Sequence, residues 1–434
     1  MSKKYFVTLI ACLVTAVSFS QTAKHVIFIT IDGFRPNFYL DTPFKTPNLH
    51  MLAAEGAYAK GVTSVFPTMT YPNHTAIITG VQPLKHGVYY NSMFEPTGST
   101  GKIYWNDSSI HAPTIWSAAK AKGMTVAALY WPVSAEAPVD YNIPDIGSLG
   151  EPAREKYSKP ATLWTDLKRD VFDGAAKWDH GKDQNVAKIA AYIIKKSQPQ
   201  LMTIHFFGVD HAQHLSGRES EMTQEAVADA DEGVGIIIAA LKAQGIWDNT
   251  VLFVGGDHGF YNVTRNVYPN VWLKNAGLLN DLKSDWKAQF NSVGGSTYLY
   301  LKDPNDKETL VQVKKLLSSL PDTTKAYFRM IDRNKMDQVG ANPEVAFALS
   351  AENGASFSKD FTGPDVRLGK GGAHGHFPDT QSIRTGLVVR GPGIKVGSVI
   401  NLMNEIDIAP TIAKLLGLSL TSADGKIPAG LLSK

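Results

Sequence analysis

Six oxygen and nitrogen donors follow short apolar segments or lie in a glycine-rich stretch of the chain. They are Asp32, Asp210, His214, Asp257, His258 and His374. Asp210 and His214 are one helical turn apart, so both side chains can face one ion. Imidazole and carboxylate groups without a thiolate suit Zn²⁺ or a similar transition ion. The residue types therefore indicate a metal site.

The number of donors favours two ions over one. A catalytic zinc usually has three protein ligands and an open position, and six donors exceed that number. Asp257 and His258 are adjacent, so they can serve two ions or one ion and a bridge. Two ions roughly 4 Å apart are the arrangement used for in-line displacement at phosphorus. A single histidine is more often structural, and the roles of His205, His211 and His376 stay open.

A threonine, Thr70, precedes a helix-like segment at residues 75–79. Pro72 suits the first turn of that helix. Thr70 then lies at the helix N-terminus, where free N–H groups and the helix dipole favour an anion. A threonine hydroxyl needs such activation to act as a nucleophile. Taken alone, Thr70 is better explained as a helix cap, but beside two metal ions it becomes the leading candidate for attack on phosphorus.

The segments that carry these residues alternate between strand and helix patterns. Apolar runs typical of buried parallel strands lie at residues 26–31, 126–130, 201–206, 251–254 and 386–389. Helical spacing of apolar residues occurs at residues 46–56, 112–122, 185–196, 219–244 and 406–416. The alternation predicts an α/β fold with a mostly parallel central sheet and helices on both faces. Ligands bind beyond the carboxyl ends of the strands in such sheets, where the donors are expected.

The overall composition is that of a globular protein, with 44% apolar and 19% charged residues among 434. The 43 basic and 40 acidic side chains give a formal charge of +3, which does not indicate a nucleic-acid polymer as partner. The single cysteine, Cys12, excludes an intramolecular disulfide and a cysteine-rich zinc site. The oligomeric state is not encoded in any pattern of the sequence.

Residues 1–20 have the pattern of a secretory signal peptide. A basic start is followed by an apolar run at residues 5–17, too short to span a bilayer, and by small residues before Gln21. No other apolar stretch reaches membrane length. A lipid anchor on Cys12 is the alternative, which the apolar residues after it disfavour. We expect a periplasmic or secreted protein whose catalytic domain covers residues 21–434, with a small insertion or cap within about residues 260–370.

Short motifs occur in order from about residue 26 to residue 425. They are Ile31-Asp-Gly-Phe-Arg35, Thr46-Pro-Asn-Leu49, Phe66-Pro-Thr-Met-Thr-Tyr-Pro-Asn-His74, Thr79-Gly80, His86-Gly87, Asp210-x-x-x-His214, Asp257-His-Gly259, His374-Gly375 and Asp407-Ile-Ala-Pro-Thr411. Their order and spacing resemble the nucleotide pyrophosphatase/phosphodiesterase family of the alkaline phosphatase superfamily. The resemblance implies an alkaline-phosphatase-like α/β fold.

The resemblance also implies a role for each matching residue. Thr70 is implied to be the nucleophile, through a phospho-threonine intermediate. One zinc is implied at Asp32, Asp257 and His258, and the other at Asp210, His214 and His374. Asn91 matches the asparagine that holds a non-bridging phosphoryl oxygen in the family. Because its amide is neutral, Asn91 favours a singly charged diester over a dianionic monoester.

Three side chains are expected to contact the substrate, namely Tyr71, His205 and Trp131. Tyr71 follows the nucleophile and can stack on a base. His205 lies where nucleotide-cleaving members usually carry tyrosine, which weakens a nucleotide preference without removing it. Because Tyr71 can still stack on a base, we expect a nucleotide substrate ahead of a glycerophosphodiester or choline headgroup.

Two other functions fit the same scaffold. A phosphomonoesterase or phosphonate hydrolase would need a cation near Asn91, for which Lys156, Lys159, Lys168 and Arg169 are available. An inactive secreted binding module is a different class of protein. The intact Thr70 and the complete set of six donors argue against it.

Overall fold

The computed structural model describes residues 23–41, 43–95, 101–175 and 177–433. The predicted signal peptide, residues 1–20, and Cys12 lie outside these residues. The strands are β1 (His25–Ile31), β2 (Ala57–Thr63), β3 (Val126–Leu129), β4 (Tyr141–Ile143), β5 (Leu201–Phe206), β6 (Thr250–Gly255), β7 (Tyr261–Asn262), β8 (Arg265–Val267), β9 (Ala288–Ser292), β10 (Ser296–Leu301), β11 (Phe328–Ile331), β12 (Phe347–Ala351), β13 (Ala355–Phe357), β14 (Val366–Leu368), β15 (Gly372–Ala373), β16 (Thr385–Arg390), β17 (Ser398–Ile400) and β18 (Met403–Asn404).

Helices fill most of the segments between these strands. They are α1 (Asn37–Leu40), α2 (Pro47–Glu55), α3 (Thr70–Thr79), α4 (Pro83–His86), α5 (Ile115–Ala121), α6 (Glu151–Tyr157), α7 (Leu163–Asp170), α8 (Asp183–Ser197), α9 (Gly208–Ser216), α10 (Glu221–Ala243), α11 (Pro269–Asn275), α12 (Lys307–Ser319), α13 (Asp322–Lys325), α14 (Arg333–Gln338) and α15 (Ile408–Leu415). Within the described ranges, no helix has the length and apolar character needed to span a membrane.

A nine-stranded sheet forms the centre of the fold. Its order is β17-β2-β16-β6-β1-β5-β3-β4, with β18 also paired to β2. The strands from β6 to β4 along this path all pair in parallel, which confirms the predicted α/β sheet. The parallel direction predicted for residues 386–389 is wrong, because β16 runs antiparallel to both β6 and β2. An apolar strand buried on both faces has the same pattern in either direction, so its pattern does not reveal the direction.

Helices cover both faces of this sheet, as predicted. Side chains of β1 alternate between two cores: Ile27 and Ile29 pack on the side of α8 and α10, and Phe28 packs on the side of α5 and α15. All three side chains are fully buried, which explains why the run carries no polar alternation. The five predicted helices correspond to α2, α5, α8, α10 and α15, each within a few residues.

The segment between β6 and β16 contains three further sheets. One is the two-stranded pair β15-β7, and the other two have the orders β11-β12-β10-β9 and β13-β8-β14. The core of the two larger sheets contains Trp272, Phe290 and Phe347, and it packs against Phe66 and Met69, which precede α3. This segment lies where the insertion was predicted. Its assignment as a small insertion or cap within one catalytic domain stays a prediction.

Candidate metal centre

The carboxyl ends of three neighbouring strands bring the predicted ligands together. Strand β1 lies between β5 and β6, with Ile31 opposite Phe206 and Thr30 opposite Gly255. Asp32 follows β1 directly, and its N–H donates to the Phe206 carbonyl at 2.9 Å. Because the three strands run in parallel and in register, the residues that follow them share one edge of the sheet.

Asp32, Asp257 and His258 form the first part of the centre. Nε2 of His258 lies 3.2 Å from Oδ1 of Asp32 and 3.3 Å from Oδ2 of Asp257. The other oxygen of Asp257 accepts from the N–H groups of Gly33 and His258, both at 3.1 Å. Each carboxylate therefore turns one oxygen toward the same imidazole nitrogen.

Asp210, His214 and His374 form the second part. Oδ1 of Asp210, on α9, lies 3.4 Å from Nε2 of His214 and 3.7 Å from Nε2 of His374. The rings of His374 and His258 stack with their centroids 3.6 Å apart. All six predicted ligands thus converge on one place.

The donor atoms form two overlapping groups, and the predicted division of the ligands between two ions stays a prediction. The donor atoms of Asp32, Asp257 and His258 lie within 4.8 Å of one another, and so do those of Asp210, His258 and His374. His258 belongs to both groups and joins them. The side chain of His214 is 42% exposed and lies at the outer rim, near Asp210.

Three backbone carbonyls fix the histidine rings. In each ring Nδ1 faces a carbonyl, at 3.2 Å from His258 to Gly259, 3.0 Å from His214 to Gly372 and 2.9 Å from His374 to Thr68. A carbonyl only accepts, so each Nδ1 carries a hydrogen and donates it. Nε2 is then the nitrogen that each ring turns toward a carboxylate, an arrangement typical of metal-ligating histidines.

The electrostatics of the centre require a positive charge. Burial and the charge of Asp32 raise the pKa of Asp210 and raise that of Asp257 to about 7. Burial works against protonation of His258, but the charges of Asp257, Asp32 and Asp210 raise its pKa to about 9. Three carboxylates so close together are stable only when a proton or a cation neutralises them.

The unpaired polar atoms of the centre fit a metal ion. Four buried atoms have no hydrogen-bond partner in the part of the chain that the structure describes: Oδ1 of Asp32, Oδ2 of Asp257, Oδ1 of Asp210 and Nε2 of His258. These four atoms are the ones that approach each other or a histidine ring of the centre at the distances given above. Buried polar atoms are normally satisfied, so four neighbouring exceptions point to a missing ligand. Imidazole and carboxylate donors in this number suit a transition ion such as zinc.

His205 supports Asp32 from behind. Its Nε2 lies 3.2 Å from Oδ2 of Asp32, and its Nδ1 lies 3.1 Å from the Tyr130 carbonyl. Both neighbours accept hydrogen bonds, so a ring with hydrogens on both nitrogens satisfies both of them. Burial opposes the positive charge of such a ring, but the hydrogen bond and charge of Asp32 raise the pKa of His205.

Two of the three predicted substrate contacts need correcting. His205 is 1% exposed, and both its nitrogens face protein acceptors. Trp131 is 0% exposed and packs among Phe28, Trp116 and His74. Neither ring is offered to a ligand. A single sequence does not show whether an aromatic residue near a strand end faces the pocket or the core.

Thr70 is the first residue of α3, so the helix begins earlier than residue 75. Thr70 is 8% exposed. Its carbonyl accepts from Nδ1 of His74 at 2.8 Å, and the same nitrogen lies 3.6 Å from Oδ2 of Asp257. The first turn of α3 is therefore held beside the centre by His74.

Asn91 and Tyr71 are paired at the same helix end. Oδ1 of Asn91 accepts from the N–H of Tyr71 at 2.9 Å, which leaves the amide nitrogen of Asn91 as its donor for a ligand. The Tyr71 ring packs with Val88 and Val133, and its hydroxyl donates to the Asp145 carbonyl at 3.2 Å. A direct contact of Tyr71 with substrate stays a prediction.

Asp183 is a supporting residue that sequence reasoning missed. It begins α8, and its Oδ1 accepts from the N–H groups of Phe207 and Gly208 at 2.9 and 3.3 Å. These groups lie at the start of α9, the helix that carries Asp210 and His214. Asp183 therefore caps a ligand-bearing helix from a distant part of the chain, and no local pattern reveals such a cap.

A cavity of about 350 Å³ lies next to the centre. Its lining residues are Asp145, Arg154, His180, Gly181, Phe207, Gly208 and His211. Gly208 and His211 flank Asp210 in α9, and the Asp145 carbonyl accepts from Tyr71, the neighbour of Thr70. The cavity is thus bounded by the same elements that position the ligands and Thr70.

Comparisons with known proteins identify a family and several related proteins. The family model described as type I phosphodiesterase / nucleotide pyrophosphatase matches residues 26–374. Human ectonucleotide pyrophosphatase/phosphodiesterase family member 5 is 26% identical over 260 residues, which cover 58% of this chain and 48% of the human protein. Mouse bis(5'-adenosyl)-triphosphatase is 22% identical over 409 residues, which cover 92% of this chain and 79% of the mouse protein.

The chain spans about half the length of the human family member 5 and the rat family member 7, at 48% and 55%. Among solved structures, an inactive variant of murine family member 5 in complex with AMP matches with a TM-score of 0.71 at 20% identity, over 94% of this chain and 100% of that one. This likeness shows a shared alkaline-phosphatase-like fold. With most of its length matched by the family model, the chain belongs to the type I phosphodiesterase/nucleotide pyrophosphatase family of the alkaline phosphatase superfamily.

Proposed function

We propose that this protein is a two-zinc phosphodiesterase that cleaves phosphodiester or phosphoanhydride bonds through a covalent intermediate on Thr70. Membership of the family supports the class of reaction. The observation that carries the proposal is the convergence of three carboxylates and three oriented imidazoles, with four buried atoms left without partners among the described residues. Such a site suits the clamp that two ions form around a phosphoryl group.

The two ions would be held by Asp32, Asp257 and His258 on one side and by Asp210, His214 and His374 on the other. When bound, they supply charge neutralisation and Lewis acidity at the phosphoryl oxygens and the leaving group. The position of His258 between both groups supports two closely spaced ions. His205, through its hydrogen bond to Asp32, keeps that carboxylate turned toward the centre.

Thr70 would attack the phosphorus atom through Oγ1. The Oγ1–P bond forms while the bond from phosphorus to the leaving oxygen breaks, and an alcohol or a phosphorylated group departs. The N-terminus of α3 favours the deprotonated form of Oγ1 that attacks, and the proton lost from the hydroxyl goes to the leaving oxygen or to solvent. The amide nitrogen of Asn91 donates to a non-bridging oxygen. Water then cleaves the Thr70–phosphorus bond and restores the hydroxyl.

The substrate is proposed to be a nucleotide. A murine structural neighbour is known in complex with AMP, and a mouse relative is named a bis(5'-adenosyl)-triphosphatase. A glycerophosphodiester or choline headgroup remains the second candidate. The monoesterase alternative needs a cation near Asn91, yet Lys159 donates to the Ala137 carbonyl and Arg169 pairs with Asp166 and Asp170. The full donor set argues against an inactive binding module.

A panel of four chromogenic substrates tests this proposal. Bis-p-nitrophenyl phosphate and p-nitrophenyl phosphate separate diesterase from monoesterase activity. The p-nitrophenyl esters of TMP and of phosphorylcholine separate nucleotide from headgroup preference. We expect the diester to exceed the monoester and the TMP ester to exceed the choline ester. Activity confined to the monoester would overturn the proposed class.

We also propose a periplasmic or secreted location, based on the predicted signal peptide at residues 1–20. N-terminal sequencing of the protein recovered from its native cells is expected to begin at Gln21. Processing immediately before Cys12, with a lipid on that residue, would identify the anchored alternative. A mature chain that still begins at Met1 would contradict both.

A further inference from the structure

Tyr300 contacts the chain on both sides of Asn91, although it belongs to the segment between β6 and β16. Its hydroxyl lies 3.0 Å from the hydroxyl of Tyr90, the residue before Asn91. Its ring stacks on that of Phe94, three residues after Asn91, with the centroids 3.8 Å apart and an interplanar angle of 21°. Tyr90 and Tyr300 are both buried. The chain that carries Asn91 therefore rests on a single side chain from another part of the fold.

The strand that carries Tyr300 is a suitable support. Strand β10 is an interior strand of the sheet β11-β12-β10-β9, and Tyr300 lies opposite Gln289 of β9. Nδ2 of Asn342 donates to the Tyr300 hydroxyl at 2.9 Å, and Oδ1 of Asn342 accepts from the Glu344 N–H at 3.0 Å. A hydroxyl that accepts from Asn342 still has its own hydrogen to donate to Tyr90. The Tyr300 hydroxyl is thus fixed on one side and can hold Tyr90 on the other.

Asn91 depends on such contacts because it lies outside the helices and strands of the fold. Its side-chain oxygen accepts from the Tyr71 N–H at 2.9 Å, and its carbonyl accepts from the Tyr104 N–H at 3.3 Å. The bond between Tyr90 and Tyr300 adds a third attachment, one residue away and to a different sheet. A donor to a phosphoryl oxygen is effective only when its nitrogen is correctly placed.

Tyr298, two residues before Tyr300 in β10, provides an internal comparison. Side chains two apart on a strand share a face, and the Tyr298 ring also lies beside that of Tyr90, with centroids 5.0 Å apart. Its buried hydroxyl, however, has no hydrogen-bond partner among the described residues. The two tyrosines therefore differ in the feature of interest, the hydroxyl bond to Tyr90.

We propose that Tyr300 is a positioning residue for Asn91, and that its hydrogen bond to Tyr90 fixes the place of the Asn91 amide. This inference rests on the proposed phosphodiesterase function, in which that amide donates to a non-bridging oxygen. Tyr300 acts through Tyr90 and does not itself contact the substrate. The segment between β6 and β16 thereby contributes to turnover as well as to the fold.

Tyr300→Phe tests the proposal, because it removes the hydroxyl and keeps the ring that stacks on Phe94. For bis-p-nitrophenyl phosphate, kcat is expected to fall about fivefold or more with little change in KM, since a donor to the transition state is misplaced. The fall should not exceed that of Asn91→Ala, which removes the whole amide. Tyr298→Phe is the matched control, and kcat should stay within about twofold because the lost hydroxyl had no partner.

A double-mutant cycle separates positioning from a general structural role. In an Asn91→Ala protein no amide is left to position, so adding Tyr300→Phe should change kcat by less than about twofold. An equal fall in the presence and absence of the Asn91 amide would overturn the proposal. So would an unchanged kcat in Tyr300→Phe alone.

Tyr90→Phe keeps the test decisive if Tyr300→Phe does not fold. It removes the other end of the same bond, while the Tyr300 hydroxyl keeps its hydrogen bond from Asn342. We expect a melting temperature close to that of the unaltered protein and a fall in kcat like that of Tyr300→Phe. Full activity in folded Tyr90→Phe would contradict the proposal. Unaltered protein without diesterase activity, or Asn91→Ala with full activity, would instead refute the proposed function.

Discussion

The imidazole of His205 and the carboxylate of Asp32 form a buried pair, with Nε2 3.2 Å from Oδ2. The opposite nitrogen of His205 is held by the Tyr130 carbonyl at 3.1 Å. Asp32 therefore has one oxygen committed to His205, while Oδ1 lies 3.2 Å from His258 in the centre. A residue that the sequence suggested as a stacking partner for substrate thus orients a predicted metal ligand.

Replacing His205 by Ala should weaken metal retention. The loss of an outer hydrogen bond to a ligand typically lowers metal affinity by about 10–100-fold. His205→Gln is the control, because its amide can still donate to Asp32 and should retain more of the affinity. Competition with a chromophoric chelator measures both variants. Unchanged affinity in His205→Ala would show that the pair does not support the centre.

Replacing Thr70 by Ala should abolish turnover while leaving the metal content intact. Thr70 is the proposed nucleophile, and it is not one of the six predicted metal ligands. Thr70→Ser keeps a hydroxyl at the start of α3 and should retain measurable activity. Hydrolysis of bis-p-nitrophenyl phosphate and elemental analysis of the same samples provide the two readouts. An active Thr70→Ala protein would refute the assignment of the nucleophile.

Replacing Asn91 by Asp isolates the donor function of its amide. The aspartate can still accept a hydrogen bond from the Tyr71 N–H, which lies 2.9 Å from Oδ1 of Asn91 in the unaltered protein. The start of α3 should therefore stay in place. It loses the donor to the phosphoryl oxygen and adds a repulsive charge, and kcat/KM for diesters should fall by about 10²–10³. Asn91→Ala should show a smaller fall, since it adds no charge. Equal activity in all three proteins would remove Asn91 from the site.

The stability of the protein should depend on pH through Asp183. Burial raises the pKa of this carboxyl group from 3.8 to about 7, against the opposing effect of the N–H groups of Gly208 and Phe207. Because the folded pKa lies above the unfolded one, the folded state binds more protons between these values, and stability falls as pH rises from about 4 to 7. Above about pH 7 the stabilising contribution of Asp183 is fully lost.

Asp183→Asn removes this titration and provides the reference. The free energy of unfolding of the unaltered protein, measured relative to the variant by urea denaturation, should decline by on the order of a few kcal/mol across that range and then level off. A constant difference between the two proteins from pH 4 to 8 would show that Asp183 is not a perturbed group.

Much of the centre was predictable because strand ends and side-chain chemistry are both local features. The apolar runs before Asp32, Asp210 and Asp257 identify buried strands, and parallel pairing of β1, β5 and β6 brings their ends together. The helices were predictable as well, because the spacing of apolar residues along the chain is also a local feature. The family motifs added the role of Thr70 and the pairing of the ligands.

Features set by tertiary contacts were not predictable. The direction of β16 depends on its neighbours rather than on its own residues. The burial of Trp131 and His205 depends on helices packed against the sheet. The cap from Asp183 to α9 joins residues 24 and 25 positions apart, a contact without a local signal.

Metal content measured on fully active protein tests the central proposal most directly. A centre with six converging donors should hold two zinc ions per chain. Chelation should then remove activity in step with the metal, and added Zn²⁺ should restore it. Fully active protein that contains no bound metal would contradict the proposed two-zinc phosphodiesterase.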